Sequence, residues 1–268
     1  MADTVLYEVD DGLATITLNR PEAMNAMNDV TKVALRDAAQ AAAADDSVRA
    51  VLLTAAGDRA FCVGQDLKEH VGSLLATRES GSGEGVMSTV QEHYNPIVRA
   101  LTGAAKPVVA AVNGVAAGAG FGFALAADYR IVADTASFNT SFAGVALTAD
   151  SGISWTLPRV VGPSRAADLL LFPRSISAQD AYELGIANRV VPSAELAAEG
   201  LKLARALAAG PTLAYAALKE SLAFGISHSL EETLEKEDEL QTRAGSSEDH
   251  VIAVQAFVNK EKPKFVGR

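Results

Sequence analysis

The sequence predicts an α/β fold with parallel strand pairing, closed by a helical C-terminal part. Two short apolar runs, Val48 to Thr54 and Lys106 to Val112, have the length and β-branched content of buried strands, and each is followed by a glycine-containing turn. A helical periodicity precedes the first run, and the order strand, helix, strand, glycine turn then recurs over 106–133, as in a repeated β/α unit. From Ala194 onward the pattern is helical alone. The chain therefore divides into a mixed core over 1–193 and a helical region over 194–268.

The elements follow in order. Val5 to Val9 and Ala14 to Leu18 alternate about Asp11-Gly12, a hairpin signal, and Pro21 closes the second strand. Asn28 is placed as the N-cap of a helix running to Ala44, whose inner side reads as Val30, Val33, Ala34, Ala38, Ala41 and Ala42. After Val48 to Thr54 comes the turn Ala55-Ala56-Gly57-Asp58. The stretch from His70 to Val90 includes Glu79-Ser80-Gly81-Ser82-Gly83-Glu84-Gly85 and reads as a mobile loop or lid. Asn113-Gly114 ends the strand that starts at Lys106, and a helix is expected from Phe123 to Asp128. Ser177 and Asp180 form a near capping box for a short helix closed by Gly185, while Ser229 and Glu232 cap a later one. Breaks fall at Gly210-Pro211 and Gly225.

Composition removes several functions. With 268 residues and 49% hydrophobic content the chain can bury a sizeable core. A formal charge of -10 and the lack of a dense Lys/Arg tract oppose nucleic-acid binding. No apolar run approaches a membrane span and the N-terminus has no signal-peptide core, so a cytoplasmic protein is expected. Cys62 is the sole cysteine, which excludes an intrachain disulfide and suits a small buried residue. His70, His93, His228 and His250 are scattered, so no metal is expected, and no G-x-S-x-G marks a serine hydrolase. Arg20, Arg59, Lys68 and Lys260 are the cations best placed to meet an anionic ligand.

Two features carry chemistry. The run Val115 to Gly122, rich in small residues, joins a buried strand to a helix; this suits a backbone that approaches a ligand and offers free N–H groups, or one that only packs closely. Gly118-Ala119-Gly120-Phe121-Gly122-Phe123 puts the third glycine out of place for a dinucleotide fingerprint. Asp150 lies in an apolar stretch from Val145 to Arg159, where a carboxylate is disfavoured as an anion and its pKa should rise, which suits a group that takes and returns a proton. It reads equally well as a helix N-cap.

Phe61-Cys62-Val63-Gly64-Gln65-Asp66-Leu67, Ala111-Val112-Asn113-Gly114-Val115-Ala116-Ala117-Gly118-Ala119-Gly120 and Trp155-Thr156-Leu157-Pro158-Arg159-Val160-Val161-Gly162 together resemble the crotonase superfamily, the enoyl-CoA hydratases and isomerases. The resemblance spans nearly the whole chain and implies a spiral of ββα turns with C-terminal helices that assemble a homotrimer or hexamer. It implies an oxyanion hole from the backbone N–H groups of Gln65 and Ala119. Asn19 to Ala26 is similar to a first CoA-contacting segment, which puts Met24 and Ala26 at the CoA; Phe257 to Lys260 is similar to a C-terminal piece reaching toward it. Phe61, Val63, Asp66, Leu67, Lys68 and Gly118 join the substrate and CoA site by motif position, and Tyr94, Asn95, Phe142 and Val145 the acyl pocket. Phe142 and Val145 read equally as ordinary core.

The two glutamates of the family's hydratases match Gly122 and Phe142 here, and neither activates water. Asp150 falls where isomerases of the family carry a single acid. The resemblance thus implies an acyl-CoA isomerase that shifts a double bond or opens a ring epoxide, with the CoA thioester as substrate and no separate cofactor. Another acyl-CoA activity, or a noncatalytic CoA-thioester binder, is the alternative.

Overall fold

A computed structural model of the chain describes residues 3–80 and 87–268. Strands β1 (Val5–Asp10), β2 (Leu13–Leu18), β3 (Ala50–Ala55), β5 (Val108–Val112), β7 (Tyr129–Ala133) and β10 (Arg189–Val191) form the larger sheet in the order β1-β2-β3-β5-β7-β10. Apart from the β1–β2 hairpin its pairs are parallel, with Val51 opposite Val108 and Val109 opposite Tyr129. The smaller sheet holds β4 (Ala60–Cys62), β6 (Val115–Ala117), β8 (Ser137–Asn139) and β9 (Ile176–Ser177) in the order β4-β6-β8-β9. Successive turns of chain lay one strand in each sheet: β3 then β4, β5 then β6, β7 then β8. This is the expected ββα spiral.

Why these segments are strands follows from burial on both faces. All five residues of β5 are buried, which a run of Val and Ala permits and a half-polar strand would not. β1 buries only Val5, consistent with its place at the sheet edge.

Helix α1 (Asp29–Ala44) is capped as expected, the Asn28 side chain accepting from the Thr31 amide. Its buried face is Thr31, Lys32, Leu35, Ala38, Ala39 and Ala42; Val30 is 64% exposed. The buried stripe thus differs from the Val30 and Val33 side for a physical reason. Leu35 is the largest apolar side chain in the helix and sets which stripe faces the core, and small alanines fit either face. Residues 67–80 form helix α2 (Leu67–Ser80), where a loop is expected from 70 onward. A short helix former run such as Leu74-Leu75-Ala76 suffices locally, and the glycine-rich residues 81–86 lie outside the described residues.

Helix α3 spans Asn95–Gly103. Helix α4 runs from Ala119 to Leu125, four residues earlier than the expected start at Phe123, because Gly118, at φ 51°, ends the preceding strand by itself. Helices α5 (Ile153–Val161), α6 (Pro163–Leu171) and α7 (Ala178–Glu183) follow, α7 opening on the Ser177/Asp180 capping box. Helix α8 (Leu196–Ala208) lies on the larger sheet, with Gly200 so close that an ideal Cβ would sit 3.1 Å from that of Ala111. Helices α9 (Thr212–Gly225), α10 (Leu230–Gly245) and α11 (Glu248–Asn259) complete the chain. Arg49 ties their start and end to β3: its guanidinium donates to Gly210 O at 2.6 Å and Phe265 O at 3.2 Å.

Candidate active site

β4 and β6 run parallel in the smaller sheet, with Ala60 opposite Val115 and Cys62 opposite Ala116, so the turns that leave them arrive together. Gly64, at φ 85°, is pressed on the other turn: an ideal Cβ there would lie 3.0 Å from Ala117 O and 3.3 Å from the Ala119 nitrogen. Gly120 interlocks from the opposite side, where a Cβ would come within 2.7 Å of the Cys62 carbonyl carbon. Glycine is required at both positions by this contact. The glycine-rich run therefore serves close packing and ligand approach at once.

A third segment fixes the Gly64 turn. Met27 N donates to Gly64 O at 2.8 Å and Asp66 N to Met27 O at 3.1 Å, which leaves the Gln65 amide between them without an acceptor among the described residues. The Ala119 amide, at the first position of α4, has none either. Gln65 and Ala119 both line a cavity of about 550 Å³. Two amides without acceptors among the described residues, on adjacent turns whose residues line one cavity, are the donor set that can hold a single oxygen as it gains negative charge.

Asp150 reaches the same cavity. It does not cap α5: Gly152 is the N-cap, at φ 75°, and no side chain bonds there. The Asp150 carboxylate instead accepts from Ser151 Oγ at 2.8 Å. Burial pushes its pKa above the ordinary carboxylate value, and the serine hydrogen bond opposes this in part. Of the two carboxylates that line the cavity among the described residues, Asp66 is held by Arg20, whose guanidinium donates to Asp66 Oδ2 at 3.1 and 3.2 Å. Asp150 has no ion-pair partner among the described residues.

Tyr94 closes one wall. Val90–Tyr94 is wound as a π-helix that runs into α3, a widened turn of the kind found at functional sites. The tyrosine is 2% exposed, its ring edge-on to Phe123 at 5.7 Å between centroids, and its hydroxyl donates to Gln65 Oε1 at 2.5 Å. Burial, and then the Asp150 charge, push the phenol well above its ordinary value, so it stays protonated.

Twelve of the expected residues meet in this cavity: Gln65, Ala119 and Asp150; Ala26, Val63, Asp66, Leu67 and Lys68; and Tyr94, Gly118, Phe142 and Val145. Val145 is an exposed wall residue and not core, and Phe142 is buried yet reaches the cavity. Five do not line it. Phe61 is wholly buried in β4, packed into the core. Met24 sits in a left-handed conformation after the turn Pro21–Ala23, and the neighbouring Ala23 and Ala26 take its place. Asn95 is one residue past Tyr94 and so turned about the helix axis away from it. Phe257, 85% exposed, and Lys260 lie on and just beyond α11, outside the cavity of their own chain.

Arg20, a cation singled out in the sequence, lines the cavity, whereas Arg59 does not. His70, Met87, Thr89, Val90, Ser141 and Leu147 also line it and carry no sequence signal beyond their closeness to Lys68, Tyr94 and Phe142. Cys62, buried beneath the Gly64 turn with its thiol pushed up to about 12 by burial, is the small core residue expected.

Known proteins match this chain along its whole length. The family model described as Enoyl-CoA hydratase/isomerase covers residues 8–268. A 1,2-epoxyphenylacetyl-CoA isomerase of Escherichia coli (strain K12) is 39% identical over 268 residues, covering 100% of both chains. A crotonyl-CoA hydratase of Syntrophomonas wolfei is 30% identical, covering 99% of both. Among solved structures, an enoyl-CoA hydratase from Bacillus anthracis superposes with a TM-score of 0.89 at 29% identity, over 99% of this chain and 100% of that one.

Proposed function

The chain belongs to the enoyl-CoA hydratase/isomerase family, within the crotonase superfamily, and on that premise we propose that it is an acyl-CoA isomerase working through a thioester enolate. The observation that carries this reading is Asp150, which among the described residues is the one acid lining the cavity without an ion-pair partner. The thioester oxygen takes hydrogen bonds from the Gln65 and Ala119 amides. Negative charge grows on that oxygen as Asp150 removes a proton from carbon 2, and the two preorganised donors stabilise it by several kcal/mol. The protonated Asp150 exchanges with solvent and then delivers a proton to carbon 4, and the double bond has moved. The same acid and oxyanion hole serve an arylacetyl-CoA epoxide, the substrate named for the Escherichia coli relative.

Water addition needs a second acid–base group, and the fold leaves little room for one. An ideal Cβ on Gly122 would lie 2.5 Å from Ser151 Cβ and 2.6 Å from Ser151 O, so a glutamate there would displace the residue that bonds Asp150. Hydration of crotonyl-CoA by the pure protein is therefore expected to be at least about a hundredfold slower than by a two-glutamate hydratase, the scale for losing a general acid–base group. Turnover at hydratase rates in a direct absorbance assay would contradict the isomerase reading.

We also propose a homotrimer or hexamer. Leu218, Leu222, Ile226, Leu230 and Leu234 on and between α9 and α10 are exposed, as are Val254, Phe257 and Val258 on α11, a larger apolar display than a monomer usually leaves in water. Light scattering at micromolar concentration should return three or six chain masses; a monomer would contradict the assembly.

A further inference from the structure

Besides Arg20 and Asp66, the cavity holds a second polar pair that the proton relay does not use, Tyr94 and Gln65. Tyr94 and Gln65 come from the π-helix and the β4 turn, and the tyrosine is fixed on two sides: Phe123 meets its ring edge-on, and the buried Lys32 ammonium lies 6.0 Å from its centroid. Lys32 is itself held by Asp29 at 2.9 Å. With the ring fixed, the hydroxyl has one acceptor among the described residues, Gln65 Oε1. Asp150 is satisfied separately by Ser151. The Gln65 carboxamide is thereby oriented: its oxygen is taken, and its two Nε2 hydrogens have no partner among the described residues. These donors belong to a residue of the cavity lining, which also includes the apolar Val63, Phe142, Val145 and Leu147, and whose main chain is half of the proposed oxyanion hole.

An unused donor beside apolar lining favours a ligand that supplies an acceptor and disfavours one that leaves the donor dry. We infer that the Gln65 side-chain amide, oriented by Tyr94, is a specificity-determining donor that selects acyl-CoA substrates carrying an oxygen atom on the acyl group near the thioester. This rests on the acyl-CoA reading of the cavity and names the class of acyl group it takes. Tyr94 acts through Gln65 and is a positioning residue.

Calorimetric titration of the full-length protein with phenylacetyl-CoA and with 2-hydroxyphenylacetyl-CoA tests this, because the pair differs only in one ring oxygen and neither needs turnover. The wild type is expected to bind the oxygenated ligand about fivefold tighter or more, in the range of one neutral hydrogen bond. In Gln65→Leu the ratio should fall to about one. In Tyr94→Phe, which keeps the glutamine but frees it to turn, the ratio should fall at least about twofold; this variant also serves if Gln65→Leu does not fold. Equal binding of both ligands by the wild type overturns the inference, as does a ratio that survives in folded Gln65→Leu or is unchanged in folded Tyr94→Phe. Loss of the preference in Asp150→Asn with survival in Gln65→Leu would give the oxygen to the acid and also overturn it. Since binding is read without catalysis, failure of the isomerase reading and failure of this inference give different results.

Discussion

Asp150→Asn is expected to lower isomerisation of 3-hexenoyl-CoA by about a hundredfold or more, while the affinity for acyl-CoA changes little. Asn keeps the size and the hydrogen bond from Ser151 but holds no transferable proton. The pH profile separates this role from a structural one. The wild-type acid limb of kcat/KM should lie above the ordinary Asp value of about 3.9, because burial raises the Asp150 pKa and the carboxylate must be ionised to accept a proton. That limb should vanish in the residual activity of Asp150→Asn. Stability moves the other way. A carboxyl raised by folding favours the fold fully below its unfolded pKa, and this contribution is lost as pH rises through the folded value. Calorimetry at pH 7 should therefore show Asp150→Asn melting no lower than the wild type.

Gly120→Ala is expected to cost both fold and function. The new methyl would press on the Cys62 carbonyl carbon and Cβ at 2.7 Å, at the joint between β4 and α4 where neither backbone has room to yield. Overpacking of this kind costs roughly 1–3 kcal/mol or more, corresponding to a fall of roughly 2–12 °C in Tm for a chain of this size. What remains folded should have the Gln65 and Ala119 amides forced apart, so that kcat falls by about a hundredfold, as for loss of an oxyanion donor. Wild-type activity and Tm in Gly120→Ala would show that the two turns do not interlock as described.

The architecture was legible where composition leaves one choice. A run such as Val108–Val112, short and β-branched, reads as a buried strand and forms one, and Ser177/Asp180 and Ser229/Glu232 read as capping pairs and open helices. It was less legible where small residues make faces interchangeable: the alanines of α1 fit either side, and Leu35 alone decides. At the site, Gln65, Ala119 and Asp150 stood out through motif and chemistry and come together in one cavity. Asp150 as cap or acid was undecidable from residue type, since both roles suit Asp; the left-handed Gly152 that takes the cap exists only in three dimensions. Ser141 and Leu147 reach the cavity because the loop about Phe142 turns twice through left-handed residues, Ser141 and Ala146, which no propensity announces.

In the proposed reaction the thioester is held by the Gln65 and Ala119 amides while Asp150 carries the proton transfer between carbons. Incubation of the pure protein with 3-hexenoyl-CoA in deuterated water, followed by mass spectrometry and NMR of the product, tests it most directly. The expected result is 2-hexenoyl-CoA with deuterium at carbon 4, exchange at carbon 2 of the recovered substrate, and both lost together in Asp150→Asn. A 3-hydroxyacyl-CoA product, or a shifted double bond with wild-type deuterium uptake in Asp150→Asn, would contradict it.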